Sequence, residues 1–598
     1  MCGIIGLLKL SQGGAPMGAL LHEGLKKLEY RGYDSCGIAV LGPGGAISVL
    51  KGVGKVGEVN SKLHFDSIDG IAAVAHSRWA THGGVTKQNA HPHLDCTGRL
   101  ALVHNGIIEN SHELREVLAL KGHSFSSQTD TEVLVHLIEE ELKSGGPTLE
   151  ALRRALLQVE GSYAIALLNS SDGPVIYAAR KYCPLAVASS PNAMVVASDP
   201  AAIIPYSREM AFLNDGEIAV VKGGGYEIFG VEAGKKLPVN VEEIKWAAED
   251  STKKGFEHFM IKEIHDQPLA VQNALDQDDA ELKAFANDLL NAKKVMIPAC
   301  GTARHAGLIA RYAISRLTGK YFDSMIASEY AYFADSEGEG TVLLAISQSG
   351  ETADLLECVR KVKARGGRVL SIVNVPGSTL ARESHRALYV NAGPEIAVAS
   401  TKAFLCQSAV GILLAYAMAG KLEEGRKSLS QLPALVEKTI EGTEEKCRNL
   451  SRRIAASRHA YCIARGINYA IAIEGALKIK EVSYVHAEGM PAGELKHGTL
   501  ALIEKDTPVI AINPNDYTHA ETLNNAIETK ARGAYLIGVG DSNNAAYDFH
   551  LQIPTPQDEL FYPVLSAIPL QLLAYYTGVR KGLDVDKPRN LAKSVTVK

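Results

Sequence analysis

Thr341–Val375 reads TVLLAISQSGETADLLECVRKVKARGGRVLSIVNV: an apolar strand, a loop of hydroxyls and glycine, a long helix and a second apolar strand. The same rhythm opens at Lys293–Ile314, KKVMIPACGTARHAGLIARYAI. It is the pattern of an α/β fold with a doubly wound parallel sheet. The tetrapeptide KARG at 363–366 returns at 530–533, 167 residues on, each time after a helix and before an apolar strand. Two copies of one unit are expected. At that offset Ser347 falls on Pro514, within the stretch NPNDYT, and only the first copy keeps a loop rich in hydroxyls.

The first 230 or so residues follow another pattern. Short apolar or β-branched runs (Ile4–Leu8, Gly37–Leu41, Ile71–Ala75, Leu100–Val103, Tyr163–Leu168, Met194–Ala197 and Glu217–Val221) alternate with Gly-rich turns. Gly18–Tyr30 and Thr129–Lys143 read instead as amphipathic helices. Sheets covered by a few helices follow. From Val239 to Asp266 the composition turns charged and the turn signals vanish, which marks a connection between domains. The expected organisation is an N-terminal domain over 1–240, a linker and lead-in helix over 241–284, α/β subdomains over 285–425 and 450–582, and a tail over 583–598. A chain of 598 residues suits about three to four units of roughly 150 residues.

With 62 basic and 67 acidic residues the net charge is -5, so no chain-wide positive field exists to hold nucleic acid or an anionic membrane. Nine scattered cysteines without a CxxC pair argue against a disulfide framework and a zinc site, and fit a reducing, cytoplasmic setting. The opening MCGIIGLLKL has neither a basic n-region nor a cleavage site, and apolar runs such as Ala409–Gly420 are too short to span a bilayer. Small-molecule partners are expected.

Cys2 follows the initiator Met, whose removal would leave a thiol and a free α-amine on one residue. An α-amine titrating at about 7.7–8.0 can take the proton of a thiol at about 8.5, so such an end can supply its own base. Position alone is equally compatible with an incidental buried cysteine. Further along stand HSRWATHG at 76–83, HNGIIEN at 104–110 and QTDTE at 128–132. Asn105-Gly106 could offer a side-chain amide and a backbone N–H to one point, as an oxyanion hole requires. Arg78 could clamp a carboxylate and Asp130 hold an amino group, together suiting an amino-acid substrate.

These motifs, with EYRGYDS at 29–35 and NAHPH at 89–93, resemble the N-terminal-nucleophile glutamine amidotransferases. The resemblance implies an αββα fold with Cys2 as nucleophile, its α-amine as base, and Asn105 with the Gly106 N–H as oxyanion hole. It also implies that Arg78 and Asp130 bind glutamine, that Trp79, Thr81 and His82 line its pocket, and that Trp79 gates ammonia.

Two patterns are set aside. KGVGKVGEV at 51–59 satisfies GxGxxG, but no extended helix with a good apolar face follows, so dinucleotide binding is not expected. His76, His82, His91, His93 and His104 are dense, yet no HExxH or Cys/His pattern accompanies them, and hydrogen bonding is the simpler role.

In the second half, SQSGET places backbone N–H groups and a helix dipole where a phosphate could sit, without the lysine of a nucleotide-triphosphate loop. Lys478 and Glu481 are three apart on one helix face. Together CGTA at 300–303, SQSGET, EIAVASTKAF at 395–404, EGALKIKE at 474–481, HAEGMPAGELKHG at 486–498 and DVDKPRNLAKSVTV at 584–597 resemble the paired sugar-isomerase (SIS) domains of the glucosamine-6-phosphate synthase family. The resemblance covers the chain from end to end.

It implies a homodimer acting on L-glutamine and D-fructose 6-phosphate with neither metal nor organic cofactor. Ser347, Gln348, Ser349 and Thr352 would hold the phosphate, with Thr302 nearby. His497, from the neighbouring subunit, would open the furanose ring. Lys593 would form a Schiff base with the ketose, and Glu481 would move a proton between C1 and C2 with help from Lys478. Ala303 and Ala464 stand where the family usually has serine and often glycine. Rival readings are an amidotransferase with another acceptor, which leaves Glu481, His497 and Lys593 idle, and a sugar-phosphate-binding regulator without turnover.

Overall fold

A computed structural model of the chain describes residues 2–11, 13–244 and 253–596. The chain divides into two units, Met1–Glu249 with Ser594–Lys598, and Asp250–Lys593.

Among the described residues, the first unit holds two sheets, of eight and seven strands. In the first, β1 (Gly3–Lys9) lies between Ala193–Ala197 and β2 (Ala72–Arg78), antiparallel to both, and Gly3 pairs with Ser77. In the second, β3 (Leu100–Ile108) pairs antiparallel with β4 (Gly161–Asn169). The period-two alternation decides which face each residue takes. Ile4 and Leu8 of β1 enter a core shared with Ala101, Val103, Ala164 and Ala166 of the other sheet. Ile5 and Leu7 face outward, onto Met17, Leu21, Leu25 and Leu28 of α1 (Met17–Leu28). The opposite outer face is covered by α2 (Asp130–Lys143) and the helices Ser111–Leu120 and Thr148–Leu157. Helix, two sheets, helix is the αββα layering. The GxGxxG glycines lie beside an antiparallel strand, Ile47–Val53, and a helix of eight residues, Val56–Leu63.

The second unit carries two parallel five-stranded sheets of identical strand order. The first is built from β5 (Lys294–Ala299), β6 (Asp323–Ile326), β7 (Thr341–Ser347), β8 (Arg368–Val373) and β9 (Arg386–Tyr389), arranged β6-β5-β7-β8-β9. The second is β11-β10-β12-β13-β14, from β10 (His459–Ala464), β11 (His486–Pro491), β12 (Pro508–Ile512), β13 (Tyr535–Gly540) and β14 (Phe549–Gln552). Thr341 and Pro508 open equivalent strands, as do Arg368 and Tyr535, and both pairs stand 167 residues apart. Order 2-1-3-4-5 puts the topological switch between the first and third strands, where ligands of such sheets bind beyond the carboxyl ends.

The segment read as a connection between domains is more structured than its charge suggested. Residues 245–252 lie outside the described residues. Beyond them Phe259–His265, Gln267–Leu275 and Asp279–Leu290 are helices whose Met260, Ile264, Val271, Leu282 and Phe285 enter the second unit's core. Lys402–Met418 is a core helix buried on nearly every side. One helical stretch, Glu559–Arg580, is long and apolar enough to cross a bilayer, contrary to the reading that every apolar run is too short. Of its apolar 18-residue window, 94% is buried inside the protein, so its apolarity is already used by packing.

Candidate active site

The first unit gathers its polar groups where strands end. Cys2 immediately precedes β1, and the Gly3–Ser77 pairing brings it to the end of β2. The Trp79 N–H donates to Cys2 Sγ at 3.2 Å. Burial pushes the Cys2 thiol up, opposed by that N–H and by the Arg78 charge, while Asp130 adds to the rise. Arg78 and Asp130 therefore both lie within electrostatic reach of the sulfur.

Asn105 Nδ2 donates to the Cys2 carbonyl at 3.0 Å, and its Oδ1 stands 3.0 Å from His76 Nε2. His76 has no exposure to solvent, and burial pushes its pKa down to about 3, so it is neutral. A neutral ring facing an amide oxygen must carry its proton on Nε2, and this N–H fixes which end of the Asn105 amide faces Cys2. Gly106 has φ +124°, and a Cβ there would stand 2.2 Å from the Ser162 carbonyl oxygen, so only glycine fits beside Asn105.

Thr129 caps α2 by accepting from the Glu132 N–H, and Asp130 at the first helical position accepts from the Ile108 N–H at 2.9 Å. The Arg78 guanidinium is held by the carbonyls of His82 at 2.5 Å, Gly83 at 3.2 Å and Gly84 at 3.3 Å. Trp79 packs edge-on against Tyr33 at 5.5 Å, and the Ala80 N–H is taken by Asp34. Thr81 and His82 stand exposed on the following loop. His76 stacks on His91 at 4.2 Å, His91 meets His93 at 5.0 Å, and Thr131 Oγ1 reaches both His91 and His104. Burial lowers the pKa of all four rings, making a neutral layer behind Asn105.

In the second unit, two equivalent helices, one from each copy, meet at the switch point: α3 (Gly301–Thr318), after β5, and α5 (Tyr469–Ser483), in the second copy. Lys478 of α5, 1% exposed, is ion-paired with Glu481 and with Glu474 at 3.3 Å, and donates to Thr302 Oγ1 of α3 at 3.0 Å. Thr302 in turn donates to Glu474 at 3.2 Å, and His305 Nδ1 lies 2.6 Å from the other oxygen of Glu474.

Burial works against a charged Lys478, but the two carboxylates outweigh it and raise its pKa above the ordinary lysine value. Glu474 is held below the usual carboxylate range because Lys478 and His305 overcome the effect of burial. Glu481 goes the other way: burial raises it despite Lys478, and the Lys593 charge also acts on it. A permanently charged lysine thus sits between a fixed anion and a carboxyl whose protonation is within easier reach.

Ser347 ends β7, and Thr352 caps α4 (Ala353–Ala364). Ser347 Oγ accepts from the Gly350 N–H at 3.0 Å and lies 3.4 Å from Thr352 Oγ1, while the Glu351 N–H reaches Ser349 Oγ at 3.2 Å. Gly350 has φ +68°, and a Cβ there would stand 2.1 Å from Ser378 Oγ. Gln348, Ser349 and Thr352 are partly open to solvent at this helix N-terminus, a place suited to an anion.

The tail has no regular structure, yet it is pinned. Asp586 accepts from the N–H groups of Phe259 and Met260, at 2.9 and 2.8 Å, and the Arg589 guanidinium lies 4.4 Å from the Tyr484 ring centre. These anchors deliver Lys593, 3% exposed in its side chain, to Glu395 Oε2 at 2.6 Å. Burial opposes the Glu395 charge, but Lys593 and the N–H groups of Ala403 and Thr401 hold this carboxyl down to about 2. Next to it Glu263 is pushed up to about 8 by burial and by the Glu395 charge. His497 is exposed on the turn Ala492–His497, and among the described residues no hydrogen bond or ion pair joins it to Lys478, Glu481 or Lys593.

The motifs did not single out His76, Glu474, His305, Glu395 or Glu263 as parts of this machinery. Glu395 and Glu474 sit inside quoted motifs, EIAVASTKAF and EGALKIKE. His76 opens the quoted HSRWATHG, and for the carboxylates the signal was a charge in a largely apolar run, which in a buried setting calls for a partner.

A glutamine amidotransferase domain model matches residues 76–205, and a SIS domain model matches 288–417 and 453–579. The chain is 44% identical over its full length to the glutamine–fructose-6-phosphate aminotransferase (isomerizing) of Pyrobaculum aerophilum, and 42% to that of Thermococcus kodakarensis, covering 100% of each. Among solved structures, the C-terminal domain of glucosamine-fructose-6-phosphate aminotransferase from Francisella tularensis matches 56% of this chain and 100% of its own. Its TM-score is 0.53 and its identity 38%.

Proposed function

The chain belongs to the glutamine–fructose-6-phosphate aminotransferase (isomerizing) family, and we propose that it divides the reaction between the two constellations described above. The overall conversion is D-fructose 6-phosphate and L-glutamine to D-glucosamine 6-phosphate and L-glutamate. At the first site the Cys2 sulfur attacks the glutamine amide carbon, its proton passing to its own α-amine once Met1 is removed. Asn105 Nδ2 and the Gly106 N–H receive the developing oxyanion, and Arg78 and Asp130 take the substrate's carboxylate and amine. Ammonia leaves, and water releases glutamate from the thioester.

At the second site the hydroxyl loop at Ser347–Thr352 and Thr302 hold the phosphate. The Lys593 amine condenses with the open-chain C2 carbonyl, losing water, and ammonia then displaces the lysine from the imine carbon. Glu481 takes the C1 proton and returns it to C2, so that C2 ends as an amine carbon and C1 as an aldehyde. Its raised pKa suits this two-way transfer, whereas Lys478, so firmly charged, steadies the carboxylate instead of releasing a proton. Ring opening is assigned to His497 of a second copy in a homodimer. Its exposed position, with no hydrogen bond or ion pair to Lys478, Glu481 or Lys593 among the described residues, supports that reading. The enzyme is placed in the cytoplasm on the same family reading.

One observation carries the proposal: the chain's tail is anchored so that Lys593 meets Glu395 at 2.6 Å and acts electrostatically on Glu481. The test is mass-resolved product analysis with fructose 6-phosphate and amide-15N glutamine. Labelled glucosamine 6-phosphate together with glutamate is expected. Glutamate with free labelled ammonia and no amino sugar would retain the first site and overturn the second. No turnover in folded, Met-processed protein would favour a regulator.

A further inference from the structure

We propose that Cys96, His123, His136 and Glu139 form a tetrahedral site for a divalent transition metal, zinc foremost. The four come from three places in the first unit: the turn before β3, the loop after Ser111–Leu120, and α2, where His136 and Glu139 share a face at i, i+3. One ligand atom of each lies within 4.8 Å of all the others.

The individual edges are tighter. Cys96 Sγ stands 3.8 Å from His123 Nδ1 and 3.6 Å from His136 Nδ1, and Glu139 Oε2 stands 3.1 and 3.0 Å from the same two nitrogens. A zinc ion at about 2.3 Å from sulfur and about 2.0–2.1 Å from nitrogen and oxygen spaces its ligands by about 3.3–3.6 Å. The observed edges depart from this by only a few tenths of an ångström.

Two further features belong to a metal site more naturally than to a hydrogen-bonded cluster. Glu139 Oε2 faces both imidazole nitrogens and also accepts from the Cys96 N–H at 3.1 Å, so three groups converge on an oxygen with two lone pairs. A metal would take both nitrogens as ligands and leave that oxygen with one N–H and one coordinate bond. On the far side of the His123 ring, Nε2 lies 3.0 Å from Glu140 Oε2. A carboxylate on the outer nitrogen fixes the tautomer that presents Nδ1 to a metal.

Binding would release the Cys96 thiol proton to solvent and leave a thiolate ligand. With one sulfur, two nitrogens and one oxygen the set is complete, as in a structural site. The metal would clamp the turn before β3 to the C-terminal half of α2, the helix whose first residue is Asp130. No sequence pattern announces it, since the ligands are spaced 27, 13 and 3 residues apart.

The test uses the full chain, stripped with chelator and titrated with zinc, and separately with cobalt(II) as a spectroscopic probe. One equivalent per chain is expected, with the intense visible bands of tetrahedral cobalt and a sulfur-to-metal charge-transfer band. Both signals should persist in Cys2→Ala and disappear in Cys96→Ser, which alters an exposed side chain. His136→Gln should also abolish them, and Glu140→Gln should weaken the affinity about 10- to 100-fold. Absence of tight binding in the unmodified chain, octahedral cobalt spectra, or bands that survive Cys96→Ser would overturn the proposal.

Discussion

Glu263→Gln should make the protein more stable at pH 8 than the parent, while changing it little at pH 5. Glu263 is 1% exposed; its Oε1 accepts from the Ile396 N–H at 2.5 Å and the Ala397 N–H at 3.3 Å, and its Oε2 has no hydrogen-bond partner among the described residues. Burial and the neighbouring Glu395 charge push its pKa from an ordinary 4.5 up to about 8. A carboxyl raised on folding binds more protons in the folded state. Folding is therefore unpenalised below pH 4.5, and stability is lost as pH climbs from there to about 8. Taken over the interval from pH 5 to pH 8, the loss is about 3 kcal/mol, the slope nowhere exceeding about 1.36 kcal/mol per pH unit. Glutamine imitates the protonated acid and cannot ionise, so the variant escapes that loss. Subtracting parent from variant cancels the titrating groups that do not interact with Glu263, and leaves Glu263 with its neighbours Glu395 and Lys593. Calorimetric unfolding at pH 5, 6, 7 and 8 would measure the difference, which should widen with pH to about 3 kcal/mol. A difference that stays flat across the series would refute the burial argument, since Glu263 would then be ionised in both states or in neither.

Other expectations concern activity. Cys2→Ala should abolish glutamine use while leaving isomerase activity intact, and Lys593→Ala should do the reverse; loss of both activities in a folded Cys2→Ala protein would contradict two separate sites. His76→Ala should lower glutaminase kcat by up to about 10²-fold through a mis-set Asn105, with KM for glutamine little changed and activity rescued by Gln, whose amide N–H can replace the imidazole's. A matching rise in KM would point to a packing role instead. Gly350→Ala forces a left-handed residue, at about 1–2 kcal/mol, and crowds Ser378 Oγ. Fructose 6-phosphate KM should rise about 5- to 30-fold while glutamine hydrolysis is spared, and an unchanged KM would remove the loop from the phosphate site.

Strands were the most legible part of the sequence, because each apolar run at Ile4–Leu8, Leu100–Val103 and Tyr163–Leu168 falls within a strand of the sheets. Between 241 and 284 a single lead-in helix was expected, and periodicity could not resolve the three helices over 259–290, where Lys262 and Glu263 are buried and blur the apolar stripe. Individual site residues stood out when motifs surrounded them, as with SQSGET, while their partners did not. Lys593 and Glu395 are 198 residues apart, and Thr302 and Lys478 are 176 apart, distances over which local patterns carry no information. The His-rich stretch was visible as a cluster, but the neutrality of its rings comes from burial, which only the folded sheets create.

The two parallel sheets share a plan but divide their labour, and Asp516 is where they part. In the second copy its Oδ1 accepts from the N–H and hydroxyl of Thr518, the residue that caps α6 (His519–Lys530), and its Oδ2 accepts from Asn468. Asp516 stands 167 residues after Ser349, so the second copy carries a carboxylate of its own at the place where the proposed function seats a phosphate in the first. On the proposed phosphate reading, one sheet is the socket and the other comes with its plug already soldered in. The second copy instead turns its helix α5 to the first, where Lys478 donates to Thr302 Oγ1 at 3.0 Å. On that reading, converting Asp516 to glycine would reopen the second socket without making a second enzyme, since Lys593 is already committed to Glu395 of the first copy.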